Sequence, residues 1–245
     1  MIQLSVNVNK IATLRNSRGG HVPSVLDAVD VCVAAGAPGI TVHPRADERH
    51  ITRQDTLDIA RHLAPIRKSV EFNIEGDPRP DFIELVLAAK PHQCTLVPVV
   101  PGEITSQAGW SADTSPERLT AIVKRLQLDG IRVSIFVDPM EAPIRWAKAI
   151  GADRVELYTE PFAKDFAKGG AIAQTSFDMY AAAATLAHSL GMGINAGHDL
   201  DLDNLVLFRQ LPHLDEVSIG HAIVSRAVFK GLETVVREYL ERLNS

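Results

Sequence analysis

Polar and titratable residues gather at the ends of β-like runs along this 245-residue chain. The opening stretch LSVNVNKIATLRNSRGG starts with the alternation of a buried strand. It then turns into Asn7, Asn9 and Lys10, and further on into Arg15, Arg18, Gly19 and Gly20. Later runs end the same way: in His43, with Arg45, Arg49 and His50 just beyond; in Glu75; in Glu156 and Glu160; in His198 within NAGHD; and in Gly220 and His221 within SIGHA. Thr105 and Ser106 fall in a loop after another such run. Histidine titrates near neutral pH and a desolvated glutamate can be raised towards it, so this set suits general acid–base chemistry. Arginine's planar fork suits phosphate, and a glycine before each of His198 and His221 permits close backbone approach to a ligand.

Other chemistries are open by residue type. His43, Glu75, His198 and His221 are acceptable zinc ligands, but the first strand reads VNVNK where an HxH pair would stand, and HExxH is absent. Lys10 could form a Schiff base; beside Arg15 and Arg18 it could equally hold phosphate. No GxSxG elbow occurs. Cys32 and Cys94 lack CxxC spacing and an evident partner base, and read as buried small hydrophobes in a reducing compartment. His21, His62, His92, His188 and His213 fall on helices, helix edges or the opposite ends of strands and read as structural.

The elements that must position these residues alternate along the chain. After the opening strand, helical spacing covers 23–37 (less its last residues), 52–64, 79–90, 115–130, 141–151, 177–191, 202–211 and a tail over roughly 223–243. Strand-like runs cover 39–43, 69–75, 93–99, 132–138, 154–159, 193–198 and 216–221. Two long loops are expected, at about 101–114 and from 160 to about 176. Eight strands alternating with eight helices imply a parallel sheet, and in this length a closed (β/α)8 barrel forming one domain over 1–245. An open doubly wound sheet is the alternative, disfavoured because no GxGxxG follows the first strand. In such a barrel chemistry sits where strands end, and the loops after strands seven and eight commonly grip phosphate.

Composition narrows the partners. The chain is 46% hydrophobic and 22% charged with net charge −5, which argues against a nucleic-acid partner. No apolar run approaches the ~20 residues that span a bilayer, and no secretory signal pattern opens the sequence, so a cytoplasmic location is expected.

At these residues the sequence closely resembles the pyridoxine 5′-phosphate synthase family. VNVNKIATLRNSRGG, GITVHPRADERHI, FNIEG, KPHQCTLVP, VELYTEP, INAGHDL and EVSIGHAIVSRA carry the resemblance, from the first strand to the last helix. It implies a (β/α)8 barrel with extra helices and a homo-octamer built from dimers. It also implies condensation of 1-deoxy-D-xylulose 5-phosphate with 3-amino-2-oxopropyl phosphate, without metal or organic cofactor. By position it makes His43 and Glu75 general bases, His198 the proton donor, and Glu156 a transition-state stabiliser. Asn7, Arg18, Gly220 and His221 become contacts to the amino-ketone phosphate; Arg45, His50 and Thr105 become contacts to the deoxyxylulose phosphate. Two departures stand out. Asn9-Lys10 replaces the Asp-His more typical of the family at a sugar-phosphate contact, and Asp199 replaces a glycine at a phosphate contact. These changes are expected to tune binding rather than alter the reaction. On the residues alone, a different phosphosugar enzyme and a phosphometabolite-binding protein remain open.

Overall fold

A computed structural model describes residues 1–99 and 106–245. Eight parallel strands, β1 Gln3–Asn7, β2 Gly39–Val42, β3 Glu71–Gly76, β4 Gln93–Leu96, β5 Arg132–Val137, β6 Arg154–Tyr158, β7 Gly193–Gly197 and β8 Leu214–Ile219, pair in chain order and close β8 onto β1. The chain is therefore a (β/α)8 barrel, as the alternation predicts.

Strand parity explains both the core and the site. On every strand one set of alternate residues faces the helices: Leu4 and Val6, Ile40 and Val42, Phe72 and Ile74, Cys94 and Leu96, Val133 and Ile135, Val155 and Leu157, Ile194 and Ala196, Val217 and Ile219. All of these are buried in one apolar cluster. The other set fills the barrel, and it is largely polar. Ser5 and Thr41 are linked at 2.6 Å, Asn73 donates to Thr41 at 3.3 Å, and Thr95 donates to Asn73 at 3.2 Å. Continuing each inward set towards the strand's C-terminal end leads to Asn7, His43, Glu75 and Glu156. Period-two patterning thus delivers these side chains to one end of the barrel.

The helices are α1 Asn9–Asn16, α2 Val25–Ala34, α3 Arg53–Leu63, α4 Pro80–Ala89, α5 Pro116–Leu128, α6 Glu141–Ala149, α7 Glu160–Phe166, α8 Gly170–Ser189, α9 Leu205–Phe208, α10 His221–Lys230 and α11 Leu232–Asn244. Three expectations need correction. NKIATLRN, outside the expected helices, is helix α1; it buries only Ala12, so it lacks the apolar stripe that signals a helix. The expected loop from 160 to about 176 is α7 and the first turns of α8, where Phe162 packs against Phe166, Tyr180 and Phe208 around the break at Gly169 (φ +71°). The tail is two helices, α10 and α11, separated at Gly231 (φ +85°). Strand ends shift as well: His43 and His198 lie one residue past their strands, and His221 is the first residue of α10. No helix among the described residues is long and apolar enough to cross a membrane.

Candidate active site

At the C-terminal end of the barrel lies a cavity of about 540 Å³, large enough for a small-molecule ligand. His43 and Glu75 form its floor, with His43 Nδ1 3.8 Å from Glu75 Oε2. That separation is outside hydrogen-bond range. Burial, reinforced by the charges of Arg45, His50, Arg79 and Arg49, pushes the His43 imidazole down to about 3. At neutral pH this ring is therefore unprotonated and can accept a proton. The backbone N–H of His43 donates to Asn9 Oδ1 at 3.0 Å, which ties the end of β2 to the start of α1.

Glu75 is displaced the other way. Burial raises its carboxyl to about 7, opposed by a hydrogen bond from Ser218 and assisted by the charge of Glu216. Ser218 Oγ donates to Oε1 at 3.2 Å and Asn7 Nδ2 to Oε2 at 3.5 Å. Glu156, from β6, is also buried; burial first, then the charge of Glu75, hold its carboxyl well above the usual range. Across the sheet Glu156 pairs with Asn195, and its carboxylate lies against Gly197, two residues further along β7. A Cβ there would collide with the Glu156 carboxylate. Likewise a Cβ at Gly220 would lie 2.7 Å from the carbonyl oxygen of Asn7. The glycine in each Gly-His pair is thus required by packing inside the barrel.

Two regions of the cavity wall suit anions. On one side stand Lys10, Arg45, Arg49 and His50. Arg45 is buried, and burial together with the charges of Arg45 and Lys10 lowers the His50 imidazole to about 4. His50 Nδ1 accepts the Ile51 N–H at 2.9 Å, so neutral His50 carries its proton on Nε2. On the other side Gly220, His221 and Ala222 present the first turn of α10, a ten-residue helix whose N-terminal N–H groups and dipole favour negative charge. Val97, Phe136 and Leu200 add apolar surface to the cavity.

The family model described as pyridoxal phosphate biosynthesis protein PdxJ matches residues 4–245. The chain belongs to the PdxJ family. Among its relatives are proteins named pyridoxine 5′-phosphate synthase. That of Christiangramia forsetii is 52% identical over 99% of this chain and 100% of the relative; that of Porphyromonas gingivalis is 51% identical over 99% of each. The PdxJ-family chain is an enzyme, and its family takes part in pyridoxal phosphate biosynthesis. Solved structures share the fold at low identity: 3-keto-L-gulonate-6-phosphate decarboxylase from Vibrio cholerae (TM-score 0.63, 11% identical, covering 100% of this chain and 97% of that one) and phosphoribosyl anthranilate isomerase from Thermus thermophilus (0.60, 15%, 99% and 98%).

In this PdxJ-family chain the barrel gathers Asn7, Asn9, Lys10, His43, Arg45, His50, Glu75, Glu156, His198, Asp199, Gly220 and His221 around one cavity. Arg18 is exposed and does not line it; it follows α1 in a turn on the surface. Thr105 lies outside the described residues, while its neighbour Ser106 is buried at the cavity wall. Arg15 is no anion ligand. It makes a two-pronged pair with Asp55 at 2.6 and 2.8 Å and donates to the His50 carbonyl at 3.3 Å, and Asn16 donates to the same carbonyl at 2.9 Å. These contacts hold the segment carrying Arg45 to His50 against α1. Ser218, which holds Glu75, is missed by motif reading. Its signal is its parity: it is a small hydroxyl on the inward set of β8, inside SIGHA.

Among the described residues, one group brings three ligand-type atoms within 4.8 Å of one another: Glu160, His198 and Asp199. It does not include His43, Glu75 or His221. Lys164 pairs with Glu160 at 2.6 Å and the Tyr158 hydroxyl donates to the same carboxylate, which makes the group an ion-pair network.

Proposed function

We propose that this chain is a pyridoxine 5′-phosphate synthase. It condenses 1-deoxy-D-xylulose 5-phosphate with 3-amino-2-oxopropyl phosphate to pyridoxine 5′-phosphate, with loss of phosphate and water. The observation that carries this reading is the pairing of an unprotonated His43 with a near-neutral Glu75, 3.8 Å apart, in a cavity lined by two groups of residues that suit anions. A reaction that joins two phosphorylated substrates needs a grip for each and proton transfer between them.

The amine attacks the ketone, water leaves from the carbinolamine, and an imine forms. Elimination of phosphate, aldol-type carbon–carbon closure onto the remaining carbonyl and loss of a second water then give the aromatic ring. Each step moves protons and none needs an oxidant. His43, whose ring is neutral across the working range, is one base. Glu75 is the second base, ionised in a substantial fraction of molecules near pH 7. His198 donates to departing oxygen. Glu156, whose carboxyl burial raises well above the usual range, offers a hydrogen bond to developing negative charge when it carries a proton. Arg45, His50 and Lys10 hold the deoxyxylulose phosphate; Asn7, Gly220 and His221 hold the amino-ketone phosphate at the start of α10. Asn9 acts chiefly by fixing His43. Holding both substrates together supplies much of the acceleration. No cofactor enters this scheme. The assembly expected from the resemblance is a homo-octamer built from dimers, which light scattering behind size exclusion would measure.

The test is incubation of purified, chelator-treated protein with both phosphates, followed by the absorbance and mass of the product. Pyridoxine 5′-phosphate that depends on both substrates is expected. Its loss in His43→Ala with an unchanged circular dichroism spectrum would assign the base. Turnover of a phosphosugar without the amine, or normal turnover in His43→Ala, would refute the reading.

A further inference from the structure

His198 is reached by more charged groups than its proposed role needs. It follows β7 with φ +90°, and Asp199 follows with φ +58°. These are two consecutive non-glycine residues in the left-handed region, where most side chains are disfavoured. Their backbone is clamped by Thr159, whose hydroxyl donates to the Gly197 carbonyl at 2.7 Å and also to that of His198. This conformation turns the Asp199 side chain back onto the ring, with Oδ2 3.3 Å from His198 Nδ1. This contact with His198 holds the Asp199 carboxyl below its usual range, with further lowering from the charges of His198, His221 and Lys164. The imidazole also meets the Tyr158 ring in an edge-to-face arrangement, with centroids 5.2 Å apart at 79°.

We propose that Asp199 is a positioning residue for His198: its carboxylate engages Nδ1 and leaves Nε2 as the ring atom that exchanges protons with substrate. The proposal rests on the donor role given to His198 above. The logic is that of a carboxylate orienting a histidine, which fixes the tautomer and favours the imidazolium from which donation starts. Among the described residues, Glu160 from α7 and Tyr158 from β6 also approach this ring, Lys164 and His221 act on the Asp199 carboxyl, and Glu156 from β6 lies against the preceding Gly197. Glu160 is already engaged by Lys164 and by the Tyr158 hydroxyl. Asp199 is the carboxylate paired with Nδ1.

Asp199→Asn and Asp199→Gly separate this role from a structural one. Asparagine and glycine both tolerate a φ near +58°, so the backbone should hold in each. Side-chain ¹⁵N NMR of the resting enzyme is expected to show the Nδ1–H tautomer of His198 in the native chain, with the imidazolium persisting to higher pH than in either variant. In turnover, kcat at pH 8 should fall about 10–100-fold, the range for losing a partner that orients a functional histidine, with KM for both phosphates nearly unchanged. The alkaline limb of kcat should move to lower pH. In a His198→Asn background, Asp199→Asn should add no further loss. An unchanged His198 tautomer and titration in Asp199→Asn would overturn the proposal, as would a change in KM alone. Normal turnover in His198→Asn would instead remove the donor role on which it rests, and the proposal with it.

Discussion

Ser218→Ala offers a direct probe of how the barrel tunes Glu75. The substitution deletes one hydroxyl, and with it the hydrogen bond to Oε1 at 3.2 Å. Ser218 and Glu75 are 8% and 9% exposed, so water cannot replace that donor easily. A bond to a carboxylate contributes about 1.5–3 kcal/mol, or about 1–2 pH units. The 3.2 Å length is at the long end for a hydroxyl donor, which places the expected shift near the lower value, about one unit. The bond stabilises the charged form, so its loss raises the carboxyl from about 7 to roughly 8. A base must be ionised to act. The ionised fraction at pH 7 then drops from about one half to about one tenth, roughly a fivefold loss in kcat/KM that recovers by about pH 9. The assay is the pH profile of kcat/KM for pyridoxine 5′-phosphate formation. A loss of equal size at every pH, or an acid limb that stays in place, would refute the argument that Ser218 sets the Glu75 titration.

Two further outcomes follow from the same geometry. Glu75 carries a raised carboxyl in the folded state, about 7 against 4.5. Between those values the folded protein keeps a proton that the unfolded chain has released, so stability falls as pH rises through this window, by an amount on the order of 2–3 kcal/mol. Glu75→Gln, always neutral, should abolish turnover yet raise Tm at pH 8 by at least about 2 °C, with a smaller gain at pH 4.5; equal Tm differences at the two pH values in differential scanning fluorimetry would contradict this. Arg15→Ala removes the two-pronged pair with Asp55 and should cost about 1–3 kcal/mol in urea unfolding. It should also raise KM for deoxyxylulose phosphate more than it lowers kcat, because the segment carrying Arg45 and His50 loses its clamp; an unaltered KM would show that the segment is held without it.

The sequence by itself determined the barrel and most of the site's membership. Alternation of 3.6- and 2-residue periods is a local property of the chain, and it suffices to count strands and to find what stands at their ends. His43, Glu75, Glu156 and His198 are legible for that reason. The misread helices were those whose sequences carry a weak local signal: α1, nearly polar all round, and α7, a seven-residue helix followed by two glycines. Only the tertiary structure decided which cations serve the cavity and which serve the scaffold. Arg15 and Arg45 are equally plausible phosphate ligands as letters; Asp55, forty residues from Arg15, captures one of them. The same holds for the chemistry of Glu75. Its neutral-range titration comes from burial, from Glu216 and from Ser218, a partner 143 residues away. Periodicity is written within a few residues of itself, whereas desolvation and charge pairing depend on distances that exist only once β8 has closed against β1.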